Sequence, residues 1–276
     1  MTVPNALTID VEEWFHVCGL PGEPAPLQGE ERVVAAVERI LSLLADCRAR
    51  ATFFVLGCVA EQHSALVPAI AAAGHEIASH GWSHRLVTGL TPAEFRDEVR
   101  RTGDLLERQT GRRPTGFRAP QWSLCRKRTP WAFPILREEG YRYDASLSPL
   151  PFVGNRRGPR GPHAIATPAG EIMEFPPLVT PTPFGNLPTG GGWGFRFFPE
   201  RIIVATIGRL NRRGMPAVLF LHPREMDPAG PRLPLSPLRS FVAYGPRRSA
   251  EGRLRSLLGR FEFTTLAHLV DVWDTA

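Results

Sequence analysis

Lysine is almost missing from this 276-residue sequence: Lys127 is the only lysine among 33 basic residues, and the others are arginine. The formal net charge is nevertheless +6, which would suit a nucleic-acid-binding protein. The arginine pairs at 156–157, 212–213 and 247–248 are scattered, however, and no stripe of aromatic residues lies between them. We therefore interpret the positive charge as solvated surface and expect no nucleic acid partner, while a polyanionic partner stays open.

Long apolar runs are also missing, since none approaches the roughly 20 residues that a membrane-spanning helix needs. The amino terminus enters an apparent strand within a few residues, so we expect no signal peptide, no membrane span and a cytoplasmic location. There is no CxxC pair. The sequence predicts buried, reduced thiols without a metal or redox role for its four cysteines, Cys18, Cys47, Cys58 and Cys125.

Short β-type runs alternate with helical patterns along most of the chain. A capping box at Thr91–Glu94 begins one helix, and Gly111 ends it. We predict strands at 6–10, 51–57, 75–80, 115–120, 141–146, 172–177, 217–222 and 261–265. We predict the other helices at 33–44, from 58 to about 73, and at about 129–139, 199–213 and 266–274.

This alternation predicts an α/β fold with a parallel sheet, closed into a barrel rather than left open. The chain has the length of a single α/β barrel, so we expect one domain over residues 1–276. The segment 147–198 is rich in Pro and Gly and is interpreted as a loop-rich insertion over one face. Residues 230–276 are expected to form a C-terminal extension that packs on the barrel.

Polar residues stand where the predicted strands end, which is where barrels of parallel strands collect their catalytic groups. Such a mixture of carboxylates, imidazoles and a guanidinium is typical of a metal-assisted hydrolase. These residues are Asp10, Glu12, His80, His84, Arg118, Asp144 and His222.

Two pairs among them could converge on one cation. Asp10 and Glu12 share a face because side chains alternate along an extended chain. His80 and His84 are four residues apart, one helical turn, which would bring two imidazoles to one side. Two histidines with one carboxylate leave positions open for water and substrate, as in a catalytic metal site. His75 is expected to be structural, because its spacing from His80 does not match a helical turn.

The ordered motifs TIDVEE, SHGWSH, FRAPQWS, YDASLSP and LFLHP resemble those of the NodB-type polysaccharide deacetylases, carbohydrate esterase family four. The stretches DVEEWFHV, TGGGWGFR, HPREMDP and LRSLLGRFEFTTL resemble the branch associated with exosortase (PEP-CTERM) exopolysaccharide loci. The resemblance implies a distorted (β/α) barrel of about seven parallel strands. It also implies a divalent metal, usually zinc, and hydrolysis of N-acetyl groups from the amino sugars of a glycan, an exopolysaccharide or a glycan precursor.

The resemblance implies a role for each matching residue. Carried over by position, these roles are general base for Asp10, metal ligands for Glu12, His80 and His84, orientation of the base for Arg118, general acid for His222 and partner of that acid for Asp144.

Two departures from the family pattern matter. The usual adjacent aspartates are here Asp10 and Glu12, one residue apart, so which of them holds the metal stays open. Gly81 stands where the family usually has Ser or Thr.

Three residues, Trp122, Trp193 and Pro120, are predicted to bind substrate. For the two tryptophans the reason is that indole rings stack on sugar faces, although loop tryptophans pack into cores at least as often. Two alternatives to the deacetylase are kept. One is a hydrolase of a cyclic imide or another small C–N compound. The other is a metal-dead carbohydrate-binding module, against which the acid and base set of Asp10 and His222 argues.

Overall fold

The structure is a computed structural model that describes residues 3–16, 31–151, 153–245 and 250–274. Cys18 lies outside the described residues. Cys47, Cys58 and Cys125 are free thiols and are partly rather than fully buried. Burial raises the pKa of Cys58 to about 11, which keeps this thiol protonated and unreactive at neutral pH.

The described residues form eleven strands, ten α-helices and three short 3-10 helices. The strands are β1 (Asn5–Val11), β2 (Thr52–Val55), β3 (Glu76–Ser79), β4 (Gly116–Phe117), β5 (Tyr143–Asp144), β6 (His163–Thr167), β7 (Gly170–Glu174), β8 (Thr180–Thr182), β9 (Gly185–Leu187), β10 (Val218–Leu221) and β11 (Phe263–Thr264). The helices are α1 (Val33–Asp46), α2 (Gly57–Gln62), α3 (Leu66–Ala72), α4 (Pro92–Thr110), α5 (Ala132–Glu138), α6 (Gly192–Phe197), α7 (Glu200–Asn211), α8 (Pro237–Tyr244), α9 (Ala250–Leu258) and α10 (Leu266–Asp274). The 3-10 helices are Val87–Gly89, Pro120–Trp122 and Pro223–Glu225.

Seven parallel strands form the main sheet in the order β10-β1-β2-β3-β4-β5-β7. Strand β6 adds to β7 in an antiparallel hairpin, and β11 pairs with the start of β1. No ladder joins β7 to β10 within the described chain. Isolated main-chain bonds span that gap, such as the Leu178 N–H to the Val218 carbonyl at 2.8 Å. The fold is an α/β half-barrel of mostly parallel strands, which confirms the predicted architecture.

Strand β1 separates the inside of the barrel from the outer helices, and all seven of its residues are buried. Leu7 and Ile9 pack outward in a cluster that includes residues of α1 and α7. Ala6 packs inward with Phe54. Because side chains alternate along the strand, Asp10 shares the inward side of Ala6. The strand thus delivers one carboxylate to the interior of the barrel.

The helix predicted after β2 is two helices. It breaks at residues 63–65, and Pro68 lies in the first turn of α3. A continuous helix would press the Pro68 ring against the carbonyl of residue 64, whereas the first turn tolerates the missing N–H. Pro68 was the sequence signal for this break.

The segment 147–198 contains more regular structure than the sequence indicated. It contains the predicted β7, and also β6, the hairpin β8–β9 and α6. In the 230–276 extension, Leu257 of α9 and Leu269 of α10 join clusters with the barrel strands. The division into one domain with an insertion and an extension stays a prediction.

His75 has a structural contact, because its Nδ1 accepts the Ala51 N–H at 3.3 Å. Among the described helices, none combines the length and the apolar character needed to cross a bilayer.

Candidate active site

The sequence-predicted polar residues lie at the carboxyl ends of five strands of the main sheet. Asp10 is near the end of β1, His80 follows β3, Arg118 follows β4, Asp144 ends β5 and His222 follows β10. The parallel order of these strands puts all five ends on one edge of the sheet. The first four residues are 3% exposed or less, so their polar groups interact in a medium with little water.

Glu12, His80 and His84 form the one group of metal-ligand type found among the described residues. Their ligand atoms lie within 4.8 Å of one another. Oε2 of Glu12 is 2.8 Å from Nε2 of His84. Two imidazoles and one carboxylate are a donor set that catalytic zinc sites use.

His80 has the tautomer that a metal ligand requires. Its Nδ1 lies 2.8 Å from the carbonyl oxygen of Arg118. A carbonyl can only accept, so Nδ1 carries the hydrogen and Nε2 keeps its lone pair. Burial lowers the pKa of His80 to about 4, so this imidazole is neutral at neutral pH. The residues present therefore fit a divalent cation.

His80 and His84 converge for a reason that differs from the predicted one. They lie in a loop and not on a helix. Glu98 of α4 holds this loop, because its Oε2 accepts the N–H groups of Trp82 at 2.6 Å and Ser83 at 3.1 Å. The prediction that helical spacing brings the two histidines together was therefore wrong in its reason. The sequence reasoning also missed the role of Glu98 in holding this loop.

Two positions in this loop have left-handed backbone conformations, Gly81 with φ 78° and His84 with φ 60°. Glycine adopts such a φ without strain, whereas a residue with a Cβ does so at a cost. Gly81, at the position where the family pattern has Ser or Thr, is therefore unstrained.

Asp10 is paired with the buried Arg118. Nη1 of Arg118 donates to Oδ1 of Asp10 at 2.7 Å and to the Thr8 hydroxyl at 2.8 Å, and Nε donates to the Ala145 carbonyl at 3.0 Å. Burial alone would raise the pKa of Asp10, but the charge and the hydrogen bond of Arg118 oppose this effect, and the pKa stays below its usual value. Asp10 is therefore ionised at neutral pH and fixed in orientation.

His222 faces both carboxylates. Its Nε2 lies 3.8 Å from Oδ2 of Asp10 and 3.7 Å from Oε1 of Glu12. Its Nδ1 is buried and has no hydrogen-bond partner in the described part of the chain. Burial, and then the charge of Arg224, lower the pKa of His222, so the ring is neutral at neutral pH.

Asp144 lies away from His222: no hydrogen bond or ion pair joins these two within the described chain. Asp144 is instead level with Glu174 on the neighbouring strand β7, and accepts the Ser146 N–H at 3.3 Å. Burial raises the pKa of both carboxyls, and the nearby Asp144 charge raises that of Glu174 further. The pair retains a proton to higher pH than separate carboxyls would. A supporting role of Asp144 for the acid stays a prediction.

Three more residues that sequence reasoning missed contact the predicted set. Arg224 donates to Oε1 of Glu12. The His16 ring stacks on the His84 ring at a centroid distance of 5.3 Å. Glu174 is the third. Their signals were present, since Arg224 and His16 stand in HPREMDP and DVEEWFHV and Glu174 lies within the predicted strand 172–177.

The predicted substrate-binding residues do not all lie at the candidate site. Trp122 is beside the site, with its ring 4.9 Å from the Arg118 guanidinium carbon. Pro120 precedes it and is buried. Trp193 packs instead against Phe198 and Phe241, with ring centroids 5.6 and 6.0 Å away. Substrate contacts of all three stay predictions.

Comparisons with known proteins match two parts of the chain to two family models. Residues 28–142 match a family model described as polysaccharide deacetylase, and residues 145–271 match a domain of unknown function, DUF3473. The peptidoglycan deacetylase of Helicobacter pylori is 32% identical over 111 residues, which are 40% of this chain and 36% of that protein. The chain thus matches only about a third of the length of this curated relative.

Two solved structures show the fold over nearly the whole chain. A Mycobacterium smegmatis protein assigned as a polysaccharide deacetylase has a TM-score of 0.67 at 23% identity, covering 98% of this chain and 90% of that chain. Puue allantoinase has a TM-score of 0.66 at 19% identity, covering 99% of this chain and 90% of that chain. At these identities the likeness concerns the fold alone.

Proposed function

We propose that this chain, whose residues 28–142 match the polysaccharide deacetylase family model, is a metal-dependent hydrolase that removes N-acetyl groups from the amino sugars of a glycan. The observation that carries the proposal is the convergence of Glu12, His80 and His84 within 4.8 Å beside a separate carboxylate, Asp10. One carboxylate is thus available for a cation and the other for a proton. Zinc is the ion that this donor set suits best.

A divalent ion held by Glu12, His80 and His84 would supply polarisation of the acetyl carbonyl and acidification of a water molecule. Asp10 is ionised, so it would accept the proton of the attacking water while Arg118 keeps its carboxylate in place.

The leaving nitrogen needs a proton before acetate and the amine can separate. His222 is neutral at rest, so it would first gain this proton. Its Nε2 lies 3.8 Å from Oδ2 of Asp10, which gives a proton taken from water a short path to the ring. His222 would then deliver the proton to the nitrogen.

The substrate proposal is an exopolysaccharide or its precursor. It is supported by the resemblance of DVEEWFHV, TGGGWGFR and HPREMDP to the exosortase-locus branch. The H. pylori relative is a peptidoglycan deacetylase, which supports an N-acetylated glycan in general. The cytoplasmic location belongs to this proposal and stays a prediction.

A second candidate is hydrolysis of a small cyclic C–N compound. Arg224 lies against Oε1 of Glu12, so a guanidinium already balances the carboxylate charge that an ion would otherwise balance. This observation favours a site that works without a metal. Acetate is not a product of that reaction, so the two candidates differ in what they release.

The test combines metal content with product analysis. We expect about one divalent ion per chain by elemental analysis, and acetate release from chitooligosaccharides. His80→Ala and His84→Ala should both lose the ion and the activity, whereas His268→Ala, at an exposed position of α10, should keep both. Ring opening of imides without acetate release, by metal-free protein, would establish the second candidate instead.

A further inference from the structure

Helix α6 contributes a buried arginine to the interior of the protein. Only two of the arginines that the structure describes are buried, Arg118 in the candidate active site and Arg196 of α6, which ends the stretch TGGGWGFR. Arg118 pairs with Asp10, whereas Arg196 makes no hydrogen bond or ion pair to a predicted catalytic residue of the described chain. A buried guanidinium keeps its charge, so the groups around it must replace the water that it has lost.

On one side of Arg196 lies a carboxylate. Its Nε lies 3.3 Å from Oε1 of Glu225, and both side chains are 1% exposed. Glu225 ends the 3-10 helix Pro223–Glu225, which directly follows His222. The other carboxylate oxygen, Oε2, accepts the His222 N–H at 3.3 Å. One buried carboxylate therefore connects Arg196 to the main chain of His222.

The guanidinium of Arg196 is also bound to helix α8. Nη2 donates to the Val242 carbonyl at 2.7 Å, and Nη1 donates to the Ala243 carbonyl at 3.4 Å. Both carbonyls belong to the last turn of α8, where main-chain oxygens have no partner within the helix and a cation is favourable. Ala243 shares a buried cluster with Trp14, which lies in the loop after β1. Helix α8 is thus linked to the loops that follow both β1 and β10.

The Arg196–Glu225 pair is better explained by orientation than by stability. A buried ion pair adds little net stability, because the loss of water from the two charges offsets their attraction. The rigid plane of guanidinium donors does, however, fix distances and directions. Here it fixes the main chain of His222. The ring of that residue faces two carboxylates, since its Nε2 lies 3.8 Å from Oδ2 of Asp10 and 3.7 Å from Oε1 of Glu12.

We propose that Arg196 is a positioning residue, which holds His222 in its orientation through Glu225 and anchors it on α8. The effect on catalysis rests on the proposed deacetylase function, whereas the effect on the His222 ring does not. A misplacement of about 1 Å can cost on the order of 10²-fold in rate. The expected effect is therefore on kcat, because Arg196 is placed to orient the acid and not to contact substrate.

The test variants remove the pair or keep its charge. Arg196→Met alone leaves Glu225 as an unpaired buried charge, which can prevent folding. The double variant Arg196→Met/Glu225→Gln removes both charges together and keeps similar shapes. Arg196→Lys keeps the charge. The matched control is Arg137→Met, which removes a partly buried arginine that donates to the Tyr141 carbonyl at 2.8 Å, before the start of β5. Thermal melts establish that each variant is folded.

The first measurement is NMR of the histidine rings in metal-free protein, with the His222 signals assigned by their loss in His222→Gln. In the double variant these signals should shift or broaden, because the main chain of His222 is no longer held. The double variant leaves the net charge unchanged, so the shift does not reflect a change in net charge. Arg196→Lys should resemble the unchanged protein more closely, and Arg137→Met should leave the His222 signals unchanged.

The second measurement is the kinetics of acetate release. The double variant should lose about 10–100-fold in kcat while KM stays within about twofold. The content of divalent ion should not change, because Glu12, His80 and His84 are intact. Arg196→Lys should restore part of kcat, and Arg137→Met should keep kcat within about twofold of the unchanged protein.

Unshifted His222 signals in the folded double variant overturn the proposal. An equal shift in Arg137→Met also overturns it, since any loss of packing would then disturb the ring, and so does a change in KM alone. If the unchanged protein releases no acetate but the His222 signals shift as expected, the proposed function fails and the positioning role of Arg196 is supported.

Discussion

The Asp144–Glu174 pair gives a prediction whose size follows from linkage. Glu174→Gln removes one of two carboxyls that are both 0% exposed and lie level on neighbouring strands. Burial and the Asp144 charge hold the folded-state pKa of Glu174 well above its usual value. In the unfolded chain this carboxyl has a pKa of about 4.3. Folding therefore takes up a proton between these two pKa values.

The sign follows from that proton. The folded protein binds one more proton than the unfolded chain in this window, so the contribution of Glu174 to stability is full below the unfolded pKa and is lost as pH rises. The slope is about 1.4 kcal/mol per pH unit, which gives up to about 2.7 kcal/mol between pH 5 and pH 7. Glu174→Gln removes this dependence, and the amide that it introduces can still hydrogen-bond Asp144. The variant should therefore gain stability relative to the unchanged protein as pH rises.

Urea unfolding at pH 5, 6, 7 and 8, with a chelator present throughout, measures the difference. The matched control is Glu171→Gln, an exposed carboxyl of the same strand β7, which should show a difference that does not change with pH. A Glu174→Gln difference that stays constant within about 0.5 kcal/mol, or that favours the variant more at pH 5, would refute the shared-proton reasoning.

Three further predictions concern the candidate active site. Asp10→Asn should lower kcat by about 10²–10⁴-fold at unchanged metal content, because it removes a proton acceptor and keeps the shape of the side chain. A kcat within twofold of the unchanged protein would mean that Asp10 has no role in the reaction. Glu98→Ala should weaken metal binding about 10–100-fold in chelator competition, because the loop that carries His84 loses its acceptor, and unchanged binding would contradict that role. Gly81→Ala should lower the free energy of unfolding by about 1–2 kcal/mol in thermal melts, because the backbone φ of residue 81 is 78°. The control Gly252→Ala, in α9 with open space where its Cβ would lie, should raise the free energy of unfolding by about 0.5–1 kcal/mol. Equal effects of the two variants would mean that backbone strain does not restrict residue 81.

The positions of Asp10, Arg118 and His222 could be predicted because they follow from two local rules. Alternation along β1 fixes the direction of the Asp10 side chain, and parallel order brings the strand ends to one edge. Neither rule needs knowledge of which strands are neighbours. This is why most of the candidate site was accessible from the sequence.

The residues that were missed act across the fold. Glu98 is on α4 and reaches the loop after β3, and Glu174 meets Asp144 only because β7 pairs with β5. Arg224 is separated from Glu12 by 212 positions in the chain. Such contacts depend on how elements pack, and no spacing in one sequence reports them. The convergence of His80 and His84 was predicted for the wrong reason, because a loop and not a helix brings them together.

The gap in the main sheet between β7 and β10 affects where the length of the chain can change without disturbing the fold. There the Leu178 N–H bonds to the Val218 carbonyl and the Phe220 N–H to the Gly190 carbonyl, without a continuous ladder. Register in a paired strand is collective, since one slipped residue turns every side chain to the other face. Isolated bonds carry no such constraint. Insertions or deletions between residues 175 and 190 can therefore widen or narrow one flank of the barrel while the seven-strand frame keeps its alignment.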